Sequence, residues 1–216
     1  MTAETAPTAR RGPLVLADIS GYTAFLQAVS VAHGEEMAES GAVPEAYPLM
    51  TTLLDGIVDR LVPPFVLSKT EGDAVFAFAA GGDFSLRGDA VLACVDACYA
   101  AFQDEIEALE AALTCGCSAC SLGIKLDLKF VMHYGGYVVQ PIAGRPELLG
   151  PDVNVVHRLL KNHANSLVEG AYALFTKAAV EQLDVPLSAA LPLSEDYDQL
   201  PPIDTFVFSV PLVPSV

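Results

Sequence analysis

The sequence predicts an α+β fold, an antiparallel sheet of ferredoxin-like βαββαβ type with its helices on one face. Three observations lead to it. Short apolar runs alternate with apolar stripes at helical spacing in the order βα(α)ββαββαβαβ. Glycine or proline marks most of the junctions between them. One long stretch sets Val91, Val95, Cys98, Phe102, Ile106, Leu109 and Leu113 on a single helical face, the pattern of a helix packed flat on a sheet.

The elements follow in order. Residues 14–17 predict a buried strand, and residues 20–26 pass through a turn at Gly21 into a first loop and helix region reaching about residue 43. Leu49, Leu53, Leu54, Ile57, Val58 and Leu61 keep helical spacing until Pro63 and Pro64 stop the helix. Residues 65–68 and 74–79 predict a hairpin turning at Glu71 and Gly72, with Asp73 at the mouth of its second strand. Residues 81–84 spell GGDF, close to the GGDEF signature of diguanylate cyclases, but the glutamate is absent and a helix follows, so a flexible loop is expected there. Residues 126–132 predict a strand, Gly135 and Gly136 a turn, and residues 137–142 another strand. Residues 150–152 start the helix that carries Asn154 and Arg158. A strand at 172–175, a short helix at 177–183, a proline-rich loop and a closing strand at 205–210 complete one domain over residues 13–216, behind a flexible N-terminus of residues 1–12. There is no internal repeat.

Composition narrows the function classes. The 216 residues suffice for one well-filled core. They are 52% hydrophobic with mean hydropathy +0.43, yet no apolar run approaches the roughly 20 residues of a membrane helix. A large core plus an oligomer interface accounts for the excess. The N-terminal stretch lacks a secretory cleavage pattern, and five cysteines form no even framework, so a reduced cytoplasmic protein is expected. A net charge of -16 opposes nucleic acid. A triphosphate carried with metal ions remains compatible, because Arg145, Arg158 and Lys161 fall in one short stretch.

Asp18 and Asp73 stand on separate strands, each beside a glycine turn, and two such carboxylates can hold Mg²⁺ or Mn²⁺ against phosphate oxygens. Singly, Asp18 also fits a helix cap and Asp73 a hairpin turn. Asn154 and Arg158 lie four residues apart, on one helix face, where the arginine suits phosphoryl charge; a solvated face with Lys161 and Asn162 fits equally. Cys115, Cys117 and Cys120 offer three thiolates to Zn²⁺ or to redox chemistry, but a closed structural site needs four ligands. Cys94 and Cys98 are core residues instead, carried roughly 25 Å away by their helix at about 1.5 Å per residue.

Taken together the motifs resemble those of class III nucleotide cyclases, the adenylate and guanylate cyclase catalytic domain. The segments are LADISGYT at 16–23, KTEGDAVFAF at 69–78, HYG at 133–135 and GPDVNVVHRL at 150–159, in the family's order. The cysteine cluster is similar to that of a bacterial cyclase-like subgroup. The resemblance implies a class III catalytic-domain fold and a homodimer whose sites draw on both subunits. It implies two Mg²⁺ or Mn²⁺ ions per site on Asp18 and Asp73, with Asn154 orienting ribose and Arg158 meeting transition-state charge. Lys69 and Glu147 match base-reading positions, and a cationic donor beside a carboxylate acceptor suits adenine, then cytosine, and disfavours guanine. Conversion of ATP, or of CTP, to a cyclic monophosphate and pyrophosphate is therefore expected. A catalytically silent module of the same fold, binding nucleotide or sensing metal or redox state through its cysteines, is the alternative. His133 is expected to be structural and His157 a packing or surface residue.

Overall fold

The computed structural model describes residues 8–112 and 114–212. The strands are β1 (Ala9–Ser20), β2 (Val66–Glu71), β3 (Ala74–Phe78), β4 (Asp127–Ile142), β5 (Arg145–Leu149), β6 (Tyr172–Thr176), β7 (Leu191–Glu195) and β8 (Ile203–Ser209). The helices are α1 (Tyr22–Ser40), α2 (Ala46–Leu61), α3 (Asp89–Ala112), α4 (Pro151–Arg158) and α5 (Lys177–Leu183). The strands form one sheet in the order β2-β3-β1-β4-β6-β8-β7, with β5 paired to the far end of β4. Every pairing is antiparallel except β4 with β6. The predicted α+β class and antiparallel sheet are thus found.

Side chains alternate across a strand, so register assigns each residue to a face. Val15, Ala17, Val75, Ala77, Phe130 and Met132 pack under α1, α2, α3 and α5. Leu14, Leu16, Ala74, Phe76, Val131 and Leu174 pack on the opposite face against Val153 and Val156 of α4. Four helices share one face as expected, and α4 covers the other. In α2, Leu53, Ile57 and Leu61 are each 1% exposed. Burying each such side chain contributes about 1.5–3 kcal/mol, so the stripe holds this helix more than propensity does. In contrast, α1 runs 19 residues with Phe25 and Val29 alone buried, and beyond Val29 no residue is more than partly covered.

Several local expectations are corrected. Gly135 and Gly136 make no turn, because β4 runs straight through them, opposite Gly12 and Arg11 of β1. Gly135 is required for close approach. A Cβ on Gly135 would be driven into the Asp152 side chain, and the Gly136 N–H donates to Asp152 Oδ2 at 2.6 Å. The chain reverses later, at Ala143 and Gly144, both with positive φ, to give the unforeseen strand β5. Strand β7 occupies part of the expected proline-rich loop. The GGDF segment is anchored rather than flexible, since Phe84 is 3% exposed and its ring centroid lies 4.8 Å from that of Phe65. Of the expected N-terminal tail, residues 1–7 lie outside the described residues and Ala9 already begins β1. Leu113 also lies outside the described residues.

Gly135→Ala is expected to cost about 1–3 kcal/mol, the usual penalty of forcing extra volume into a packed contact. Urea denaturation measures it, and loss of the α4 docking should accompany it.

Candidate functional site

Register places the acid pair. Asp18 lies opposite Ala74 of β3 on one side and Lys129 of β4 on the other, near the end of β1. Asp73 immediately precedes β3, and its carbonyl accepts from the Ile19 N–H at 3.1 Å. The turn that delivers it needs Gly72 at φ 64, a left-handed conformation costly for other residues. Asp18 is not a helix cap. The residue before α1 is Gly21, and no side chain caps that end. Instead Asp18, 9% exposed, accepts a 2.8 Å ion pair from Lys129 Nζ through Oδ2.

Two carboxylates thus face one ammonium. Burial raises the Asp73 pKa above the ordinary carboxylate value, and the Asp18 charge adds to this against the opposing pull of Lys129. Burial alone would lower the Lys129 pKa, but its hydrogen bond and charge interaction with Asp18 raise it above the ordinary lysine value. A raised acid means that the folded state holds more protons than the unfolded one. Stability therefore falls as pH rises from the usual carboxylate pKa through the folded value of Asp73. Asp73→Asn is accordingly expected to raise the urea midpoint of metal-free protein near neutrality. The gain should vanish in acid, where wild-type Asp73 is itself protonated.

On the same sheet face, Asn154 and Arg158 are both exposed on α4. With His157, Lys161, Asp198, Gln199 and Leu200 they line a cleft of about 600 Å³. The helix is fixed at its start by Asp152, which bonds Gly136 and stands 3.4 Å from His133 Nε2. His133 Nδ1 lies 2.9 Å from Thr176 Oγ1, the cap of α5, so this buried histidine ties two helices to β4 as a structural residue. Burial lowers its pKa against the pull of Asp152. His157 packs edge-on to Phe76 at 4.9 Å and sets Nδ1 3.3 Å from Glu71 Oε2.

Lys69 and Glu147, distant in sequence, meet. Lys69 Nζ lies 2.7 Å from Glu71 Oε1 and 3.4 Å from Glu147 Oε2. The Glu71 hydrogen bond is the main cause of a raised Lys69 pKa. Glu147 is a strand residue opposite Gln140, not a loop acid. A chain of polar contacts therefore runs from Glu147 through Lys69 and Glu71 to His157 at the cleft wall. The residues lining the cleft include neither Asp18 nor Asp73, and Arg145 stands apart on β5.

Three groups escaped the sequence reading. Lys129 had no local signal, because only strand register reveals its partner. Glu195, 0% exposed, accepts from the His163 N–H at 2.6 Å and contacts His163 Nδ1 at 2.9 Å. Tyr197 joins that carboxylate and donates to the Lys161 carbonyl at 3.2 Å, bracing the rim of the cleft. The third is His33 of α1, whose imidazole meets Cys115, Cys117 and Cys120 with all four ligand atoms within 4.8 Å of one another. Among the described residues, no helix is long and apolar enough to cross a membrane.

Residues 50–167 match a family model described as Protein of unknown function (DUF2652). A relative in Mycobacterium tuberculosis, Uncharacterized protein Rv2561/Rv2562, is 32% identical over 152 residues, covering 69% of this chain and 68% of its own length. Among solved structures, the adenylyl cyclase CyaB from P. aeruginosa superposes with TM-score 0.62 at 14% identity, over 93% of this chain and 94% of its own. A bacterial light-regulated adenylyl cyclase superposes with TM-score 0.66 at 16% identity, over 94% of this chain and 52% of its own. These likenesses establish the catalytic-domain fold of class III cyclases.

Proposed function

The chain belongs to the DUF2652 family and has the class III cyclase catalytic-domain fold, and from this premise we propose that it is a metal-dependent nucleotidyl cyclase converting ATP to 3′,5′-cyclic AMP and pyrophosphate. The observation that supports it most is the meeting of Lys69 with Glu147 beside Glu71, which in turn reaches His157 of α4. Lys69 already has the Glu71 carboxylate at 2.7 Å, so it does not depend on Glu147 for a counter-charge. An ammonium that donates to a ring nitrogen beside a carboxylate that accepts from an exocyclic amine reads adenine, and reads cytosine second.

In the reaction the ribose 3′ oxygen bonds to the α-phosphorus, the bond from that phosphorus to the bridging oxygen breaks, and pyrophosphate leaves while the hydroxyl proton passes to solvent. Asn154 hydrogen-bonds a ribose oxygen and so holds the attacking group in line. Arg158 offers guanidinium donors to the charge that grows on the phosphoryl oxygens. Lys161, on the same cleft, gives this strongly acidic chain a local cation for the triphosphate. Asp18 and Asp73 fit Mg²⁺ or Mn²⁺, since their oxygens are the hard donors these ions prefer and Lys129 leaves one negative charge uncompensated. Two divalent ions bound there would neutralise triphosphate oxygens and acidify the attacking hydroxyl.

The reading includes a homodimer with composite sites. Two observations favour it: the cleft holding Asn154 and Arg158 lacks both acids, and Val66, Leu67, Ile142 and Leu149 expose apolar surface on β2 and the β4–β5 hairpin. It also includes a cytoplasmic location, which suits five free cysteines.

Incubation with ATP, CTP, GTP and UTP in turn, with Mn²⁺, tests the assignment. Cyclic product is expected from ATP, less from CTP, and least from GTP and UTP. Glu147→Ala should narrow the preference for ATP over GTP about tenfold, the worth of one charged hydrogen bond near 1.5 kcal/mol. No cyclic product from any of the four sinks the cyclase.

One observation favours a second reading, a catalytically silent nucleotide-binding or metal- and redox-sensing module. Lys129 already supplies Asp18 with a cation at 2.8 Å. Such a module shows a nucleotide-dependent thermal shift without cyclic product.

A further inference from the structure

We propose that His33, Cys115, Cys117 and Cys120 form a closed four-ligand Zn²⁺ site that fastens the distal half of α1 to the segment leading into β4. The three thiols were apparent in the sequence as an incomplete set, and His33 completes it from a helix far away in the chain. The site is separate from the acid pair and from any catalytic role, and it stands or falls independently of the cyclase assignment.

The geometry matches the ion. Zinc bound tetrahedrally, at about 2.3 Å to sulfur and 2.0–2.1 Å to nitrogen, sets each N···S edge near 3.6 Å. His33 Nε2 lies 3.3 Å from Cys117 Sγ, 3.5 Å from Cys120 Sγ and 3.8 Å from Cys115 Sγ, values that bracket that edge. One nitrogen therefore lies within ligand-edge distance of three sulfurs, and the four ligand atoms all fall within 4.8 Å of one another. Thiolates with an imidazole form a borderline-soft donor set that selects zinc over Mg²⁺ or Mn²⁺. Four protein ligands leave no open position, so the site is structural rather than hydrolytic.

The surroundings are organised for the same purpose. With Nε2 directed at the sulfurs, the ring proton sits on Nδ1, and Glu36 Oε2 lies 3.8 Å beyond it, one helical turn on. The Cys120 N–H donates to Cys117 Sγ at 3.3 Å. Glu45, just before α2, accepts from the N–H groups of Thr114 and Cys115 at 3.4 and 3.3 Å and from the Thr114 hydroxyl, holding the first cysteine in place. These contacts order a loop that has few buried apolar groups of its own.

The fold also has a use for the bond. Beyond Val29 no residue of α1 is buried, so the last eleven positions of the helix lack an apolar anchor. His33 is partly buried in that unsupported half. Metal binding releases the thiol protons of three cysteines and takes the lone pair of neutral His33, leaving a site of net charge -1.

The test uses the full chain, purified under reducing conditions. Elemental analysis is expected to find about one zinc per chain, as one closed site requires. After metal removal, titration with Co²⁺ should produce the intense sulfur-to-metal charge-transfer bands and visible bands of a tetrahedral site. His33→Ala removes no buried apolar group, so the protein should stay folded by circular dichroism. It is expected to weaken zinc binding by more than about 100-fold, beyond the roughly 10–100-fold cost of losing an outer-shell partner. Cys117→Ser should abolish the tetrahedral cobalt spectrum. Failure of reduced wild-type protein to take up stoichiometric Zn²⁺ or Co²⁺ overturns the proposal. So does a His33→Ala protein whose cobalt spectrum and zinc affinity are unchanged, because the fourth ligand would then lie elsewhere.

Discussion

A one-to-one mixture of Asp73→Ala and Arg158→Ala proteins is expected to regain about a quarter of wild-type cyclase activity, the share given by random reassortment of a two-fold dimer. Each variant alone should have lost about 10²–10³-fold or more, the typical cost of deleting one charge-stabilising group. The reason lies in how the groups are distributed. Asp73 belongs to the acid pair beside β1, whereas Arg158 lines the α4 cleft, and the cleft-lining residues include neither acid. If a working site takes its metal ligands from one chain and Arg158 from the other, a mixed dimer holds one doubly damaged site and one intact site. Half of the dimers are mixed, and half of their sites work. Steady-state formation of cyclic AMP after subunit exchange measures this directly. A mixture no more active than its components would mean that each chain completes its own site.

Lys129→Met should destabilise metal-free protein by about 2–3 kcal/mol, somewhat below the roughly 3–5 kcal/mol for breaking a fully buried pair, because both partners keep some solvent contact. Asp18 and Asp73 would then face each other with no counter-charge among their neighbours on the sheet. Divalent metal should restore much of the loss, and the thermal shift on adding Mn²⁺ should exceed that of wild type. This separates the two functional readings. If Lys129 is a placeholder that yields to metal, wild type itself responds to Mn²⁺ and the variant responds more strongly; if it has replaced metal for good, wild type does not respond to the ion. Differential scanning calorimetry with and without Mn²⁺ reads both outcomes.

The residues that were legible in the sequence are those whose signal is local. The stripes of α2 and α3 declared themselves because burial on a sheet demands a 3.6-residue period. Asn154 and Arg158 did so because one helical turn places them together. The two strands that escaped, β5 and β7, each carry a proline and lie at the margins of the sheet, where a proline normally argues against a strand. A glycine pair such as Gly135 and Gly136 serves turns and close approaches alike, and only the position of Asp152 decides between them. Lys129 and His33 were missed for a different reason. Their partners are set by strand register and by helix docking, and neither leaves a trace in local spacing. Thus the Lys69–Glu147 pair could be anticipated from the motifs, while the ammonium on Asp18 and the fourth ligand of the cysteine cluster had to await the fold.

The central claim is that this chain closes a ribose ring onto the α-phosphorus rather than merely binding or hydrolysing a nucleotide. Simultaneous quantitation of cyclic AMP and pyrophosphate from ATP and Mn²⁺, with wild-type and Asp73→Ala proteins side by side, tests it most directly. The two products should accumulate in equal amounts with wild type and fall together by about 10²-fold or more in the variant, as expected when a group that stabilises developing charge is removed. Pyrophosphate without cyclic AMP, or neither product from a protein that still binds ATP, would contradict it.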